Sequence, residues 1–147
     1  MIRTTVIMLM GLMILASCET YDEGGKVKKA DKTIIGTWKL GSYFRDGVDE
    51  TSLVFITNYS ETFNADGSLT RTYTKADGSL VEEVDGDWSF GADNKTVSIS
   101  GISSINDFSD ANSSLSTSTV DILRLDSDGF WYEYENGGSL HQFRLNK

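Results

Sequence analysis

Tyr59–Phe90 reads YSETFNADGSLTRTYTKADGSLVEEVDGDWSF, and its pattern decides the fold. Tyr59, Glu61 and Phe63 alternate along one face of a strand that ends at Ala65-Asp66-Gly67-Ser68. Leu69, Arg71 and Tyr73 mark one face of the next, which ends at Ala76-Asp77-Gly78-Ser79. Each Asp-Gly pair supplies the φ > 0 position that a tight hairpin demands. A further strand carries Val84, Gly86, Trp88 and Phe90 on one face and Asp85 and Asp87 on the other, then breaks at Gly91-Ala92-Asp93-Asn94. The ADGSL string occurs twice, at Ala65 and Ala76, and not again, so it marks two successive hairpin turns and not a repeat architecture.

The same period of two extends in both directions. Upstream, Ile34, Gly36, Trp38, Leu40 and Phe44 fall on one face of an opening strand, with Thr37, Lys39 and Tyr43 on the other. Downstream, Val97 and Ile99 make a short strand, and Gly101 to Ser118 (GISSINDFSDANSSLSTS) is a polar excursion. Eighteen residues are many for a connection in a compact domain, and such loops are usually functional or disordered. Within it Ile102, Ile105 and Phe108 recur at three-residue spacing, which suits a helical turn plugged onto the core. Thr119 to Leu125, Phe130 to Glu135 and Ser139 to Leu145 complete the pattern, separated by Asp126-Ser127-Asp128-Gly129 and Asn136-Gly137-Gly138. Alternation with punctuation every eight to twelve residues predicts an all-β domain, an antiparallel meander of about eight strands.

The first residues are of a different kind. Met1 to Ser17 has one charge, Arg3, then an uncharged run of 11 residues from Val6 to Ala16. That run is short of the roughly 18 residues that span a bilayer, and its small-residue exit fits a cleaved secretory signal. Leu15-Ala16-Ser17-Cys18 resembles the lipobox of bacterial lipoproteins. The resemblance implies that residues 1–17 are removed and that the thiol of Cys18 carries a diacylglyceryl group, with a third acyl chain, such as palmitate, on the freed amine. Each buried CH₂ contributes about 0.8 kcal/mol, so two or three chains make a stable membrane anchor. The location expected is the outer membrane, on its periplasmic or cell-surface side. Glu19 to Lys32 (ETYDEGGKVKKADK) reads as a flexible tether that holds the domain roughly 20 Å from the membrane. Glu19, Asp22 and Glu23 resemble the acidic export signals of some surface lipoproteins, but a solvated tether is commonly acidic and explains them better.

Without residues 1–17 the chain keeps 12 basic against 22 acidic residues, which disfavours nucleic acid and anionic lipid as partners. Its length suits one domain. Cys18 is the only cysteine and is committed to the anchor, so a thiolate nucleophile, a Cys-ligated zinc site and an intrachain disulfide are excluded. The chain has no proline.

Three islands resemble the lipocalin-like domains of small bacterial lipoproteins: Ile35-Gly36-Thr37-Trp38, Thr62-Phe63-Asn64-Ala65-Asp66-Gly67-Ser68 and Gly86-Asp87-Trp88-Ser89-Phe90. The resemblance covers Thr33 to Lys147 and implies an up-and-down β-barrel, closed at one end by Trp38, that holds small apolar molecules. True lipocalins are longer and often carry a Cys pair and a helix after the barrel, which this sequence lacks. A barrel of about 115 residues can fill its interior with side chains.

Catalytic chemistry finds little support. His141, the only histidine, shares a face with Phe143 and Leu145 and lacks a nucleophile motif such as G-x-S-x-G, so it reads as a barrel-end or edge histidine. Asp126-Ser127-Asp128-Gly129 begins like a calcium loop but lacks the later ligands, and a hairpin turn explains it. Glu133 and Glu135 share a face with Trp131, and a solvated outer face explains them better than glycosidase chemistry. No metal or cofactor is expected.

The aromatics remain. Trp38, Trp88, Phe63, Phe90, Phe143 and Phe44 lie on the inferred inward faces and account for a core. Tyr132 and Tyr134 sit beside Trp131, so both faces of that strand are aromatic; one is a recognition patch or is covered by the Gly101–Ser118 loop. The leading expectation is a monomeric, non-catalytic module for a small apolar or amphipathic ligand, lined by Trp38, Phe63, Tyr73, Trp88, Phe130, Tyr132 and Phe143. The alternative is an interaction or inhibitor-type lipoprotein whose filled barrel binds a protein or envelope polymer from outside.

Overall fold

The computed structural model describes residues 19–53, 57–102 and 118–147. The strands among them are β1 (Gly24–Gly25), β2 (Gly36–Arg45), β3 (Val48–Asp49), β4 (Thr57–Phe63), β5 (Ser68–Thr74), β6 (Leu80–Phe90), β7 (Thr96–Ser100), β8 (Ser118–Leu125), β9 (Gly129–Asn136) and β10 (Ser139–Asn146). Among the described residues helix is confined to the four residues of α1 (Ala30–Thr33) and to 3₁₀ turns at Val27–Lys29 and Thr51–Leu53. Each long strand pairs antiparallel with the next, from β2 and β4 through to β9 and β10, and β10 returns to β2 with Phe143 opposite Tyr43. Eight strands thus close an up-and-down barrel, and closure removes the exposed edges of an open sheet.

The two Asp-Gly turns form for the reason their sequence suggests. Gly67 and Gly78 take φ of +89° and +83°, a region that L side chains avoid. In each turn the preceding aspartate, Asp66 or Asp77, accepts the backbone N–H of the serine two residues on, at 2.9 Å.

Strict alternation breaks at several bulges, and two of them overturn an expected facing. In β2, Ser42 lies opposite Arg144 but Leu40 lies opposite Leu145, so Gly41 is an extra residue. One inserted residue exchanges inside and outside. Tyr43, expected outside, is therefore buried, and Phe44, expected inside, faces outward beneath the Arg144 guanidinium, 4.5 Å from its ring centroid. In β6, Gly86 lies opposite Leu69 and Glu83 opposite Arg71, which leaves one extra residue between them. Val84, expected on the Trp88 face, is 56% exposed as a result.

The segment read as a flexible tether is packed against the barrel. Tyr21, Val27, Ala30 and Ile34 join the core cluster, and β1 pairs parallel with β8 at Arg124 and Leu125. The local composition is polar, but Tyr21, Val27 and Ala30 within it and the close approach of Gly25 to Leu125 give it a long-range docking site. A Cβ on Gly25 would stand 1.8 Å from the Leu125 carbonyl oxygen. Ile102 is buried and packs against Gly86, whereas Ile105, Phe108 and the signal-like residues 1–18 lie outside the described residues.

Candidate functional site at the tyrosine-rich end of the barrel

The interior changes character along its axis. At the end that holds the N-terminal segment and the turns β4–β5, β6–β7 and β8–β9, it is apolar: Trp38, Phe63, Leu69, Leu125, Phe130 and Leu145 are buried there. Trp38 closes this end, its ring tilted on Phe130 at 5.9 Å and its Nε1–H donated to the Ile34 carbonyl at 2.6 Å. Phe63 meets Trp88 and Phe130 edge-on at 5.6 and 5.4 Å.

Midway along the barrel sits an ion pair that alternation brings inside. Glu61 lies between Tyr59 and Phe63 on β4, and Arg71 lies between Leu69 and Tyr73 on β5, directly opposite. Glu61 is 0% and Arg71 4% exposed. The Arg71 Nη2 donates to Glu61 Oε1 at 3.1 Å, and the same oxygen accepts the hydroxyls of Tyr59 at 2.5 Å and Tyr132 at 3.2 Å. Glu83 approaches Arg71 Nη1 at 3.6 Å from β6. Burial opposes the charge on Arg71, but the oxygens of Tyr59 and Glu61 outweigh it and hold the guanidinium charged. Burial also pushes the Tyr59 and Tyr132 hydroxyls well above their ordinary range, with Glu61 adding to the effect, so both remain proton donors. A buried carboxylate is tolerable only with such partners.

Beyond this layer the interior is lined by polar aromatics. Tyr43 and His141 share a hydrogen bond of 2.7 Å between the phenol oxygen and Nδ1. The Tyr134 ring stacks on His141 at 5.4 Å and on Phe143 at 6.0 Å. Burial lowers the His141 pKa, which keeps the imidazole neutral at pH 7. Among the described residues the buried Tyr134 hydroxyl has no hydrogen-bond partner, a state that costs free energy.

The side chains expected to line a ligand site are therefore together in one interior. Trp38, Phe63, Phe130, Tyr132 and Phe143 are fully buried, while Tyr73 and Trp88 are partly buried and pack on the same cluster. The sequence pattern does not single out Glu61, Arg71 or Tyr43 as site residues, and it marks Tyr134 only as part of the aromatic face of its strand. The signal for the first two was present: opposite charges flanked by apolar residues on the inward faces of consecutive strands. Tyr43 was hidden by the bulge at Gly41.

The two aromatic faces of β9 separate cleanly. Phe130, Tyr132 and Tyr134 face the interior, and Trp131 faces outward between the guanidinium groups of Arg124 and Arg144, at 4.7 and 4.6 Å. Glu133 accepts from Gln142 Nε2 at 3.4 Å on that outer surface, and Glu135 is exposed. Asp126 Oδ1 accepts the N–H groups of Asp128 and Gly129, so its carboxylate closes the β8–β9 turn. A cleft of about 290 Å³ opens on the outer wall between Asp66, Gly67, Asp87, Ser89, Ser98 and Ser100. Among the described residues no three His, Cys, Asp or Glu side chains converge as metal ligands.

No family model matches the chain, and no curated protein matches it in sequence. Among solved structures it is similar to a lipocalin-like protein from Bacteroides uniformis ATCC 8492, with a TM-score of 0.54 and 23% identity. The match covers 76% of this chain and 97% of the other. The fold is a lipocalin-like barrel. At that identity the likeness speaks to the fold, and the lipocalin-like barrel here combines an apolar closed end with a polar aromatic far end.

Proposed function

We propose that this chain is a lipid-anchored lipoprotein of the outer membrane whose barrel binds a small amphipathic ligand without catalysis, at the tyrosine-rich end. The observation that carries the reading is the change in interior chemistry, from packed apolar rings at Trp38 to Tyr43, Tyr134 and His141 at the far end. The unpartnered Tyr134 hydroxyl supplies a donor for the polar group of such a ligand, and the rings of Tyr43 and Phe143 supply apolar contact. A second reading is favoured by the complete burial of Trp38, Phe63, Phe130, Tyr132 and Phe143 against one another: a filled barrel that engages a protein or envelope polymer from outside.

Titration of the domain from Glu19 onward with decanoate separates the two. Ligand binding gives a saturable change in the near-ultraviolet circular dichroism of the tyrosines, weakened in Tyr134→Phe. An unsaturable response, or none, leaves the filled barrel as the functional reading. The anchor rests on Leu15 to Cys18. Cys18→Ala is expected to abolish acylation and move the protein from the membrane to the soluble fraction; equal membrane retention would overturn the lipoprotein reading.

A further inference from the structure

Glu19, the residue that follows Cys18, is docked on the barrel. Glu19 accepts the Val27 N–H through its backbone carbonyl at 3.2 Å, and its carboxylate meets Lys95 Nζ at 2.6 Å on the β6–β7 turn. Thr20 bridges to Lys26. Tyr21 is 4% exposed and donates its hydroxyl to the Asn94 carbonyl at 2.7 Å, and the Glu23 N–H donates to the Leu123 carbonyl at 2.7 Å. Burial, with Asp93 adding to it, pushes the Tyr21 hydroxyl up to about 12, so this donor persists at any physiological pH. Every one of these contacts lies at the apolar, Trp38-closed end of the barrel.

From this geometry we propose that the acylated protein sits with its Trp38-closed end on the membrane surface and its tyrosine-rich end facing away from it. The proposal rests on the lipid-anchor reading of Cys18. Successive Cα atoms are about 3.8 Å apart, so acyl chains on Cys18 emerge beside the β6–β7 turn and not at the far end of a 14-residue coil. The orientation is then fixed by packing and not by the reach of a linker.

Charge distribution agrees. Residues 19–35 carry four acidic residues and four lysines, Lys26, Lys28, Lys29 and Lys32, all four lysines exposed. Residues 36–147 carry eight basic against eighteen acidic residues. An anionic headgroup layer therefore repels the body of the barrel and least opposes the docked segment, whose four lysines offset its four acidic residues. Net charge alone argues against an anionic surface as partner; the balance of charge in the docked segment weakens that objection for one end. The far end bears exposed Asp46, Asp49, Asp77 and Glu135 beside exposed Arg45, whereas at the closed end exposed Asp66, Asp93 and Asp128 are offset by exposed Lys39, Lys95 and Lys147. The ligand end is thus directed toward the aqueous phase, where a soluble amphiphile is met.

The test uses the full acylated protein in phosphatidylethanolamine–phosphatidylglycerol vesicles that contain a headgroup-nitroxide lipid. A contact-quenched dye is attached through Ser127→Cys in the β8–β9 turn or through Ala76→Cys in the β5–β6 turn, at opposite ends of the barrel. Eight-residue strands at roughly 3.3 Å per residue, tilted in the barrel, separate the ends by about 20 Å, more than contact quenching spans. Quenching is expected to be several-fold stronger at position 127. Equal quenching at both positions, or the reverse order, on protein shown by mass spectrometry to be acylated would overturn the orientation alone. Absence of acyl chains at Cys18 would overturn the anchor reading and the orientation with it. Gly25→Val, which drives a side chain into the Leu125 carbonyl, should undock the segment and reduce the difference between the two positions without loss of membrane retention. A flexible Gly-Ser spacer between Cys18 and Glu19 should do the same with every docking contact intact. Persistence of the full difference with the spacer would show that the docked segment is not what orients the barrel.

Discussion

Arg71→Met is expected to lower the unfolding free energy of the domain by about 3–5 kcal/mol, because it strands the fully buried Glu61 carboxylate without its counter-charge. Urea denaturation monitored by circular dichroism reads this as a fall in midpoint at unchanged slope. Glu61→Gln should cost less, since Arg71 retains Glu83 on its other side and the amide can still accept from Tyr59 and Tyr132. The double variant Glu61→Leu with Arg71→Met should recover part of the loss, because it removes the stranded charge but also the acceptor that Tyr59 and Tyr132 share. A cost below about 1 kcal/mol for Arg71→Met would mean that water reaches the pair and that the middle of the barrel is not closed.

Trp38→Ala is expected to cost about 3–5 kcal/mol, the range of aromatic truncations in cores. Three contacts are lost together. The ring leaves Phe130, the indole N–H leaves the Ile34 carbonyl, and the Lys147 ammonium loses the ring face it covers at 4.4 Å. Trp38→Phe keeps most of the apolar contact and removes the hydrogen bond, so it should cost only about 1–2 kcal/mol. Because that bond joins the barrel to the end of the docked segment, hydrogen exchange of residues 21–34 should accelerate in both variants. A loss under about 1 kcal/mol in Trp38→Ala would place the residue outside the core and undo the account of the closed end.

Local patterning carried most of the architecture. Period-two alternation and the Asp-Gly, Asp-Ser-Asp-Gly and Asn-Gly-Gly punctuation define the strands and turns through backbone preferences of a few neighbouring residues, and the barrel follows them closely. The inward faces of β4, β5, β9 and β10 were also readable, because no bulge interrupts their alternation between the residues concerned. The charge pair was written in the sequence as Glu61 and Arg71 on inward faces, yet alternation alone favours placing charges outside. The pairing of Glu61 with Arg71, together with the hydroxyls of Tyr59 and Tyr132 on Glu61 and the approach of Glu83 to Arg71, makes their burial tolerable.

Three features were settled by contacts between distant parts of the chain. The bulge at Gly41 moved Tyr43 inside and Phe44 outside, since the register of β2 is chosen by β10, about a hundred residues away. The bulge in β6 put Val84 in solvent for the same kind of reason, a register set by β5. Residues 19–34 look like solvated coil in isolation, with two glycines and few apolar groups, and become ordered because Asn94, Leu123 and Leu125 offer them partners. Alternation is a local steric property, so the sequence alone determined the strands, the turns and the antiparallel meander. Register, bulges and docking depend on free energies shared across the barrel, so which side chains line its ends and what closes it were decided only when the chain folded.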